Sequence, residues 1–492
     1  MTPLPTPTLD APRTLIAGEW RPAPVIPGRW NTDPNTGEPV HLMATTTPAD
    51  VERALAAAEA LHRDGTWQDV PAPERAALLN RVADALADRV EEIAVTDALA
   101  SGVPIATTRV VAGFVPARFR AAAQDCLAHP RTRSLSAGGR DVRLLRLPWG
   151  PAAVLTPWNA PSFIAASKVA SALAAGCPVL FKPSEYAAAT ARPLAEAISM
   201  AIDGAGVPAA AFQVLHGAGD VGAALTGDPR VKIVCFTGGQ AAGRSIARAA
   251  AEHFTLLQLE LGGNNPVLVL RDADVPATAA SLAKGMTLLN GQWCEGPGKV
   301  LVHREVAADL VDALGAQLAL VRIGHSLEVA TTLGPLAHGA HRDLVRDRIE
   351  ALRDRGAEIV RPVAAPDGDG CFLAPALAVG GNPGDATDEL FGPAVSVHAV
   401  DSDEDALRLA NAHPSGLDAY VYGTDLDHAL RIGERVTCGE VRINGAHLAD
   451  LGDGSAQGFW GGSGIGGHGP AESVRVFSGD RVVGVDSDDL VI

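Results

Sequence analysis

The sequence has no CxxC pair; its six cysteines (Cys126, Cys177, Cys235, Cys294, Cys371 and Cys438) are scattered. Neither a disulfide framework nor a zinc site follows from that spacing, no metal is expected, and a reducing compartment, the cytoplasm, suits it. Positive charge is also short. With a formal net charge of −17, the chain would repel a phosphate backbone, so nucleic acid is not an expected partner. No apolar run is long enough for a membrane span: the most apolar region, 152–181, is broken by Asn159, Lys168 and several prolines. The opening residues, MTPLPTPTLDAP, lack the basic region and apolar core of a signal peptide.

What is present points to a soluble α/β protein. A chain of 492 residues exceeds a single core, so two or three domains are expected. Residues 1–46 read as an irregular arm with short strands. Amphipathic helices are expected from the capped start Thr47-Pro48-Ala49-Asp50 and over about 73–99, where Leu78, Leu79, Val82, Leu86, Val90 and Ile93 share a face. Another helix is expected near 106–127. The segment 130–148 alternates like a half-exposed hairpin, and the strand-like tail at 474–492 could pair with it in an inter-subunit sheet. From 150 to 252 short apolar strands alternate with Ala-rich helices, and a second such series runs from Asn265 to about 450. That alternation predicts parallel sheets covered by helices on both faces.

Five stretches carry candidate chemistry. Cys294 follows Gly291-Gln292-Trp293 in a Gly-rich loop, where a thiol could be approached by a substrate and by hydrogen-bond donors. Glu260 leaves an apolar strand before Gly262-Gly263; in apolar surroundings its pKa rises, as a general base near neutrality requires. Asn159, in Pro157-Trp158-Asn159, could donate to an oxyanion together with a backbone N–H. Lys182 and Glu185, in Lys182-Pro183-Ser184-Glu185, sit at a strand end where they could grip ribose hydroxyls. The run from Phe236 through Gly238 and Gly239 to Gly243 reads as strand, glycine turn and helix, an arrangement able to hold pyrophosphate at the helix N-terminus. Its spacing is not GxGxxG.

Together these stretches resemble the NAD(P)-dependent aldehyde dehydrogenase superfamily over nearly the whole chain. The motifs are TPWN (156–159), KPSE (182–185), FTGG (236–239), LELGG (259–263), GQWC (291–294), ELFGP (389–393) and NAHPSGLDAYVYGTD (411–425), in the family's order. The resemblance implies two doubly wound parallel-sheet domains plus a small β oligomerisation arm. The cofactor-binding domain would take 1–128 and 149–262, the catalytic domain 263–457, and the oligomerisation or bridging segments 129–148 and 458–492. It implies Cys294 as nucleophile, Asn159 and the Cys294 N–H as oxyanion donors, Glu260 as the base that activates water, and Lys168 as a proton relay. For the cofactor it implies Thr156, Trp158, Lys182, Ser184, Glu185, Gly219, Gly238, Gly239, Gly243, Leu261, Glu389 and Phe391. The expected partners are a small aldehyde, NAD in preference to NADP because Glu185 repels a 2′-phosphate, and further copies of the chain in a homodimer or homotetramer.

Members that pass the acyl group to coenzyme A typically lack the glutamate at 260, so hydrolysis to the free acid is expected. The alternatives are an acyl-transferring enzyme and a catalytically silent scaffold. Departures from the family pattern are Gly239 for Ser, Asn264 for Lys, and the segment 459–469, which lacks the usual Lys and Arg-Glu. Ala160 and Ser167 replace bulkier residues, which predicts a wider and more polar funnel. Glu295, directly after the nucleophile, would repel an acidic aldehyde if it faces the pocket, so a bulky or polar non-acidic substrate is expected.

Overall fold

The computed structural model describes residues 9–135, 140–452, 454–469 and 473–486. Its first sheet has eight strands. Five are parallel, in the order Phe212–Val214, Val179–Lys182, Ala152–Leu155, Ile233–Thr237 and Leu256–Glu260. Ala152–Leu155 and Val179–Lys182 are buried at every position, as strands covered on both faces must be. The winding steps outward from Ala152–Leu155 and then reverses to Ile233–Thr237 on its other side. Ligands of doubly wound sheets bind at such a reversal, beyond the carboxyl ends of the strands.

The second sheet has seven strands, with Pro297–His303, Asn265–Val269 and Asp418–Tyr422 at its centre and edge strands Ala357–Val360 and Glu440–Ile443. All pairings are parallel except Ala357–Val360 with Ala376–Gly380. A third, three-stranded sheet lies apart. In it Ser478–Gly484 pairs antiparallel with Val142–Pro148, from Ser478 opposite Pro148 to Gly484 opposite Val142, and Thr132–Ser134 takes the other side. The expected hairpin and tail thus meet; positions 136–139 and 487–492 of those stretches lie outside the described residues.

Three helix expectations need correction. The helix expected over 73–99 is two, Ala72–Ala87 and Val90–Ser101. They part at Arg89, whose guanidinium bonds Glu92 (2.8 Å) and Glu196 (2.6 Å). The helix near 106–127 is also two, Ile105–Gly113 and Val115–Ala128. Pro116 has no N–H for the preceding turn, so the chain restarts around it. The helix expected over 187–203 is Ala191–Ala205, preceded by a 3-10 turn at Glu185–Thr190. The strands Ala357–Val360 and Ala376–Gly380 had not been anticipated. No helix among the described residues is long and apolar enough to cross a membrane.

Candidate active site

Glu260 ends a strand of the first sheet and Asn265 begins one of the second. The residues between them carry the chain across, and the candidate residues converge on this crossing. Cys294 reaches it from the second sheet, just ahead of Pro297–His303. Its loop turns through three consecutive left-handed residues, Leu289 (φ 50°), Asn290 (φ 61°) and Gly291 (φ 72°). For the two with side chains this costs about 1–2 kcal/mol each, which must be offset locally.

Asn290 supplies much of the offset. Its amide donates to the carbonyls of Gly102 and Pro335 (both 2.9 Å), and its oxygen accepts from the Gly334 N–H (2.8 Å). Gln292 accepts from Ala337 N–H (2.9 Å), and the Trp293 indole donates to Gly285 (3.0 Å). A Cβ on Gly291 would lie 2.2 Å from the carbonyl carbon of Gly392. That glycine therefore serves the approach of two protein loops, not the substrate approach suggested by the sequence.

Downstream, Asn265 donates to the carbonyls of Cys294 (2.8 Å) and Gly296 (2.9 Å) and accepts from the Asp418 N–H (3.2 Å). The Tyr420 hydroxyl donates to the Glu295 carbonyl. Asn265, Gln292 and Tyr420 carried no sequence signal of their own; Asn290 beside Gly291 is a left-handed pair visible in hindsight. Asn265→Leu removes the side-chain partner of one buried and two half-buried backbone groups and is expected to cost about 2–4 kcal/mol in denaturant unfolding. An unchanged midpoint would show that the clamp contributes nothing.

The Cys294 thiol and the Glu260 carboxylate lie close enough to act on each other's charge. Burial, followed by the carboxylates of Glu260, Glu295 and Glu389, holds the thiol well above its usual pKa. The sequence suggested nearby donors; the structure surrounds the thiol with carboxylates, so its proton must leave to a base. Glu260 is the candidate for that base. Burial raises its pKa, while the Gly262 N–H (3.0 Å) and the charge of Lys168 pull it down.

Lys168 donates to Gln258 Oε1 (3.0 Å), and the same oxygen accepts from the Cys235 thiol (2.8 Å). Among the described residues Lys168 makes no hydrogen bond to Glu260 and acts on it through charge. Asn159 donates to the Gln292 carbonyl (2.8 Å), which leaves its second amide N–H for another acceptor. Glu295 is half-buried directly after Cys294. Its carboxylate faces His468 Nε2 (3.8 Å), and its pKa is pushed up to about 7, chiefly by burial, with Arg442 opposing and Glu260, Glu440 and Asp450 adding. Ser167 turns its hydroxyl back to the Phe163 carbonyl (3.0 Å), and Ala160 packs with Trp293, Leu289, Val103 and Val111. The indole takes up volume that the short side chain releases.

The cofactor candidates line the carboxyl edge of the first sheet. Lys182 is buried and donates to the carbonyls of Gly217 (2.7 Å) and Pro183 (3.1 Å); burial lowers its pKa. Ser184 accepts from the Tyr186 N–H (3.3 Å) and starts the 3-10 turn. The Glu185 carboxylate has no hydrogen-bond partner among the described residues, although its carbonyl accepts from Asn31 (2.9 Å). The Thr156 hydroxyl is buried without a partner. Helices Gly219–Thr226 and Gln240–Ala251 start without side-chain caps, and the space where Gly219 and Gly239 would carry a Cβ is open to 4 Å.

Free helix N–H groups, an orphan hydroxyl and a free carboxylate fit the pyrophosphate and ribose of a dinucleotide. Gly243 and Leu261 have another reason to be there: a Cβ on Gly243 would lie 2.4 Å from Leu261, so the pair packs helix against loop. A Cβ on Gly238 would lie 2.5 Å from the Phe236 ring. Across the crossing, Glu389 accepts from the Gly263 N–H (3.3 Å) and is pushed up to about 8, mainly by burial. Trp158 meets Phe391 edge-on (5.6 Å between centroids) and His341 at 4.8 Å.

A sequence model of the aldehyde dehydrogenase family matches residues 29–483. The chain belongs to the aldehyde dehydrogenase family. Among curated relatives, a geranial dehydrogenase of Castellaniella defragrans is 33% identical over 450 residues, covering 90% of this chain and 93% of its own. An aminoacetaldehyde dehydrogenase of Pseudomonas aeruginosa is 34% identical over 474 residues, covering 94% and 92%. The solved betaine aldehyde dehydrogenase of Staphylococcus aureus in complex with NAD+ superposes with a TM-score of 0.90 at 26% identity, covering 98% and 96%. The fold is thus that of an aldehyde dehydrogenase, in which the Cys294–Glu260 pair lies where the two parallel sheets meet.

Proposed function

We propose that the protein oxidises a non-acidic aldehyde to the carboxylic acid with NAD. The observation that carries this is the buried Glu260 carboxylate acting on the Cys294 thiol, with a spare N–H on Asn159, which bonds the same loop at Gln292. Glu260 takes the thiol proton as the sulfur adds to the carbonyl carbon, and the thiohemiacetal oxygen is met by the Asn159 amide and the Cys294 N–H. NAD, when bound, supplies the hydride acceptor that turns this adduct into a thioester. Once Glu260 has passed that first proton to solvent, it removes a proton from water as the water oxygen attacks the thioester, and the thiolate leaves. Hydrolysis alone needs a base to activate water against the thioester, and members that pass the acyl group to coenzyme A typically lack this glutamate, so Glu260 favours hydrolysis.

The cofactor residues on the first sheet support a cofactor domain over 1–128 and 149–262 and a catalytic domain over 263–457. The free Glu185 carboxylate favours NAD over NADP, whose 2′-phosphate it would repel. The three-stranded sheet leaves Val482 and Val483 exposed, which supports a homodimer or homotetramer formed through it.

Glu295 sets the charge of the substrate. Its carboxylate stands beside Cys294 and Glu260, so a second carboxylate on the aldehyde meets like charge. Glu295→Gln is expected to raise kcat/KM for a short ω-carboxy aldehyde by about tenfold and to leave a neutral aldehyde of equal length nearly unchanged. Equal effects on both would remove Glu295 from substrate selection. The same substitution removes a negative neighbour from the thiol, so the pH midpoint of iodoacetamide alkylation at Cys294 is expected to fall. A midpoint that rises or stays put would contradict this electrostatic reading.

A further inference from the structure

The stretch that carries Glu389 and Phe391 has almost no regular structure; its one element is the 3-10 turn Pro383–Asp385. Its backbone carbonyls are instead held by six side chains. Lys299 donates to Pro383 (3.0 Å), Arg355 to Asp385 (2.9 Å), Asn264 to Ala386 (3.0 Å), His413 to Thr387 (2.8 Å), Arg348 to Glu389, and His341 to Phe391 (2.7 Å). Three of these donors, His341, Arg348 and Arg355, come from the helix Gly339–Asp354 and the residue that follows it.

Packing beneath this stretch is incomplete. A cavity of about 40 Å³ is lined by Arg348, Arg355, Asn264 and Ser396, and the Asn264 oxygen and Ser396 hydroxyl are buried without partners. A smaller one, about 10 Å³, lies under Glu389 and Phe391. A close-packed bed would fix a loop by its shape, but a voided one leaves that task to the hydrogen bonds.

The bond from Arg348 is the one nearest the site. Arg348 forms no ion pair among the described residues, yet its charge acts on the Glu389 carboxylate. That carboxylate is little restrained otherwise, since its only hydrogen bond among the described residues is the 3.3 Å contact from Gly263 N–H. Gly262 leaves the space for it: a Cβ there would lie 2.9 Å from Glu389 Oε1. His341 secures the other end, where Phe391 holds the left-handed φ of 53° that turns its ring onto Trp158. One helix thereby sets both the acid and the ring.

We propose that Arg348 is a positioning residue for the nicotinamide end of the cofactor site, acting by holding Glu389 through its backbone carbonyl. This rests on the reading of the protein as an NAD enzyme in which Glu389 faces that end. Arg348 itself touches no reacting atom. Its removal should loosen the nicotinamide end and leave the adenosine end, at Lys182 and Glu185, as it was.

The test compares binding of NAD and of AMP, by calorimetry, to wild type, Arg348→Met, Arg348→Lys, Glu389→Ala and the double variant Arg348→Met/Glu389→Ala. AMP probes the adenosine end alone. The expected result is that Arg348→Met raises the Kd for NAD about tenfold, Arg348→Lys restores most of it, and AMP affinity stays within about twofold throughout. In the Glu389→Ala background Arg348→Met should add little, because both act through one group. Equal NAD affinity in wild type and Arg348→Met would overturn the proposal. So would parallel loss of NAD and AMP binding in both Arg348 variants, which would mark a general structural role. If Arg348→Met fails to fold, Arg348→Gln takes its place: NAD binding weakened about tenfold with AMP binding intact supports the proposal, and NAD affinity equal to wild type overturns it. Wild type binding neither NAD nor AMP would instead refute the cofactor reading itself.

Discussion

Replacing Cys294 by alanine is expected to reduce aldehyde oxidation by about 10⁴-fold or more, with NAD affinity within about twofold of wild type. The size follows from the geometry. Neighbouring carboxylates could at best activate a water in place of the missing sulfur, and no covalent adduct would form. The loop should survive the change, because its anchors are the side chains of Asn290, Gln292, Trp293 and Asn265 and not the thiol. The melting temperature should therefore stay close to wild type, which separates loss of chemistry from loss of fold. Residual turnover of a tenth or more in the alanine variant would mean that another group does the work.

The second large effect is that of Glu260→Gln. The amide keeps the shape of the carboxylate but cannot accept a proton, so both thiol activation and water attack slow. A fall in kcat of about 10²–10⁴-fold is expected, with the thioester accumulating on Cys294 as an added acyl mass in the intact protein. The pH profile supplies an independent check. Burial raises the Glu260 pKa above that of a free glutamate. The base form is thus present above that raised value and lost as pH falls through it, so wild-type kcat/KM should decline on the acid side. The glutamine variant should lack that acid limb. An acid limb of the same midpoint in both proteins would assign the titration to another group, Glu389 or Glu295 being the nearest.

Much of this was legible in the sequence, and the remainder has physical causes. Parallel strands such as Ala152–Leu155 announced themselves as short apolar runs because both their faces are covered. Cys294, Glu260 and Asn159 stand out as candidates because each sits in a motif at a strand end or beside glycine. The helix breaks at Arg89 and near Pro116 were missed, since the apolar face runs on past each break and only tertiary ion pairs or a missing N–H interrupts the backbone. The suspended stretch 383–391 was invisible for a deeper reason. Its donors, Lys299, Asn264, Arg348 and His413, come from parts of the chain far apart in sequence, and no local pattern records a contact to a backbone carbonyl. Gly291 and Gly243 show the converse. Both were flagged correctly as special positions, but the close approach each permits is to Gly392 and Leu261, within the protein.

The central claim is that Cys294 and Glu260 together turn an aldehyde into a free acid. The most direct measurement follows NADH formation and acid product from a neutral or amino aldehyde, in water enriched in oxygen-18 and with no acyl acceptor added. One NADH per acid, with a single labelled oxygen entering the carboxylate and both signals absent in Cys294→Ala, is the predicted result. NADH that forms only when coenzyme A is supplied, with a thioester as product, would contradict it.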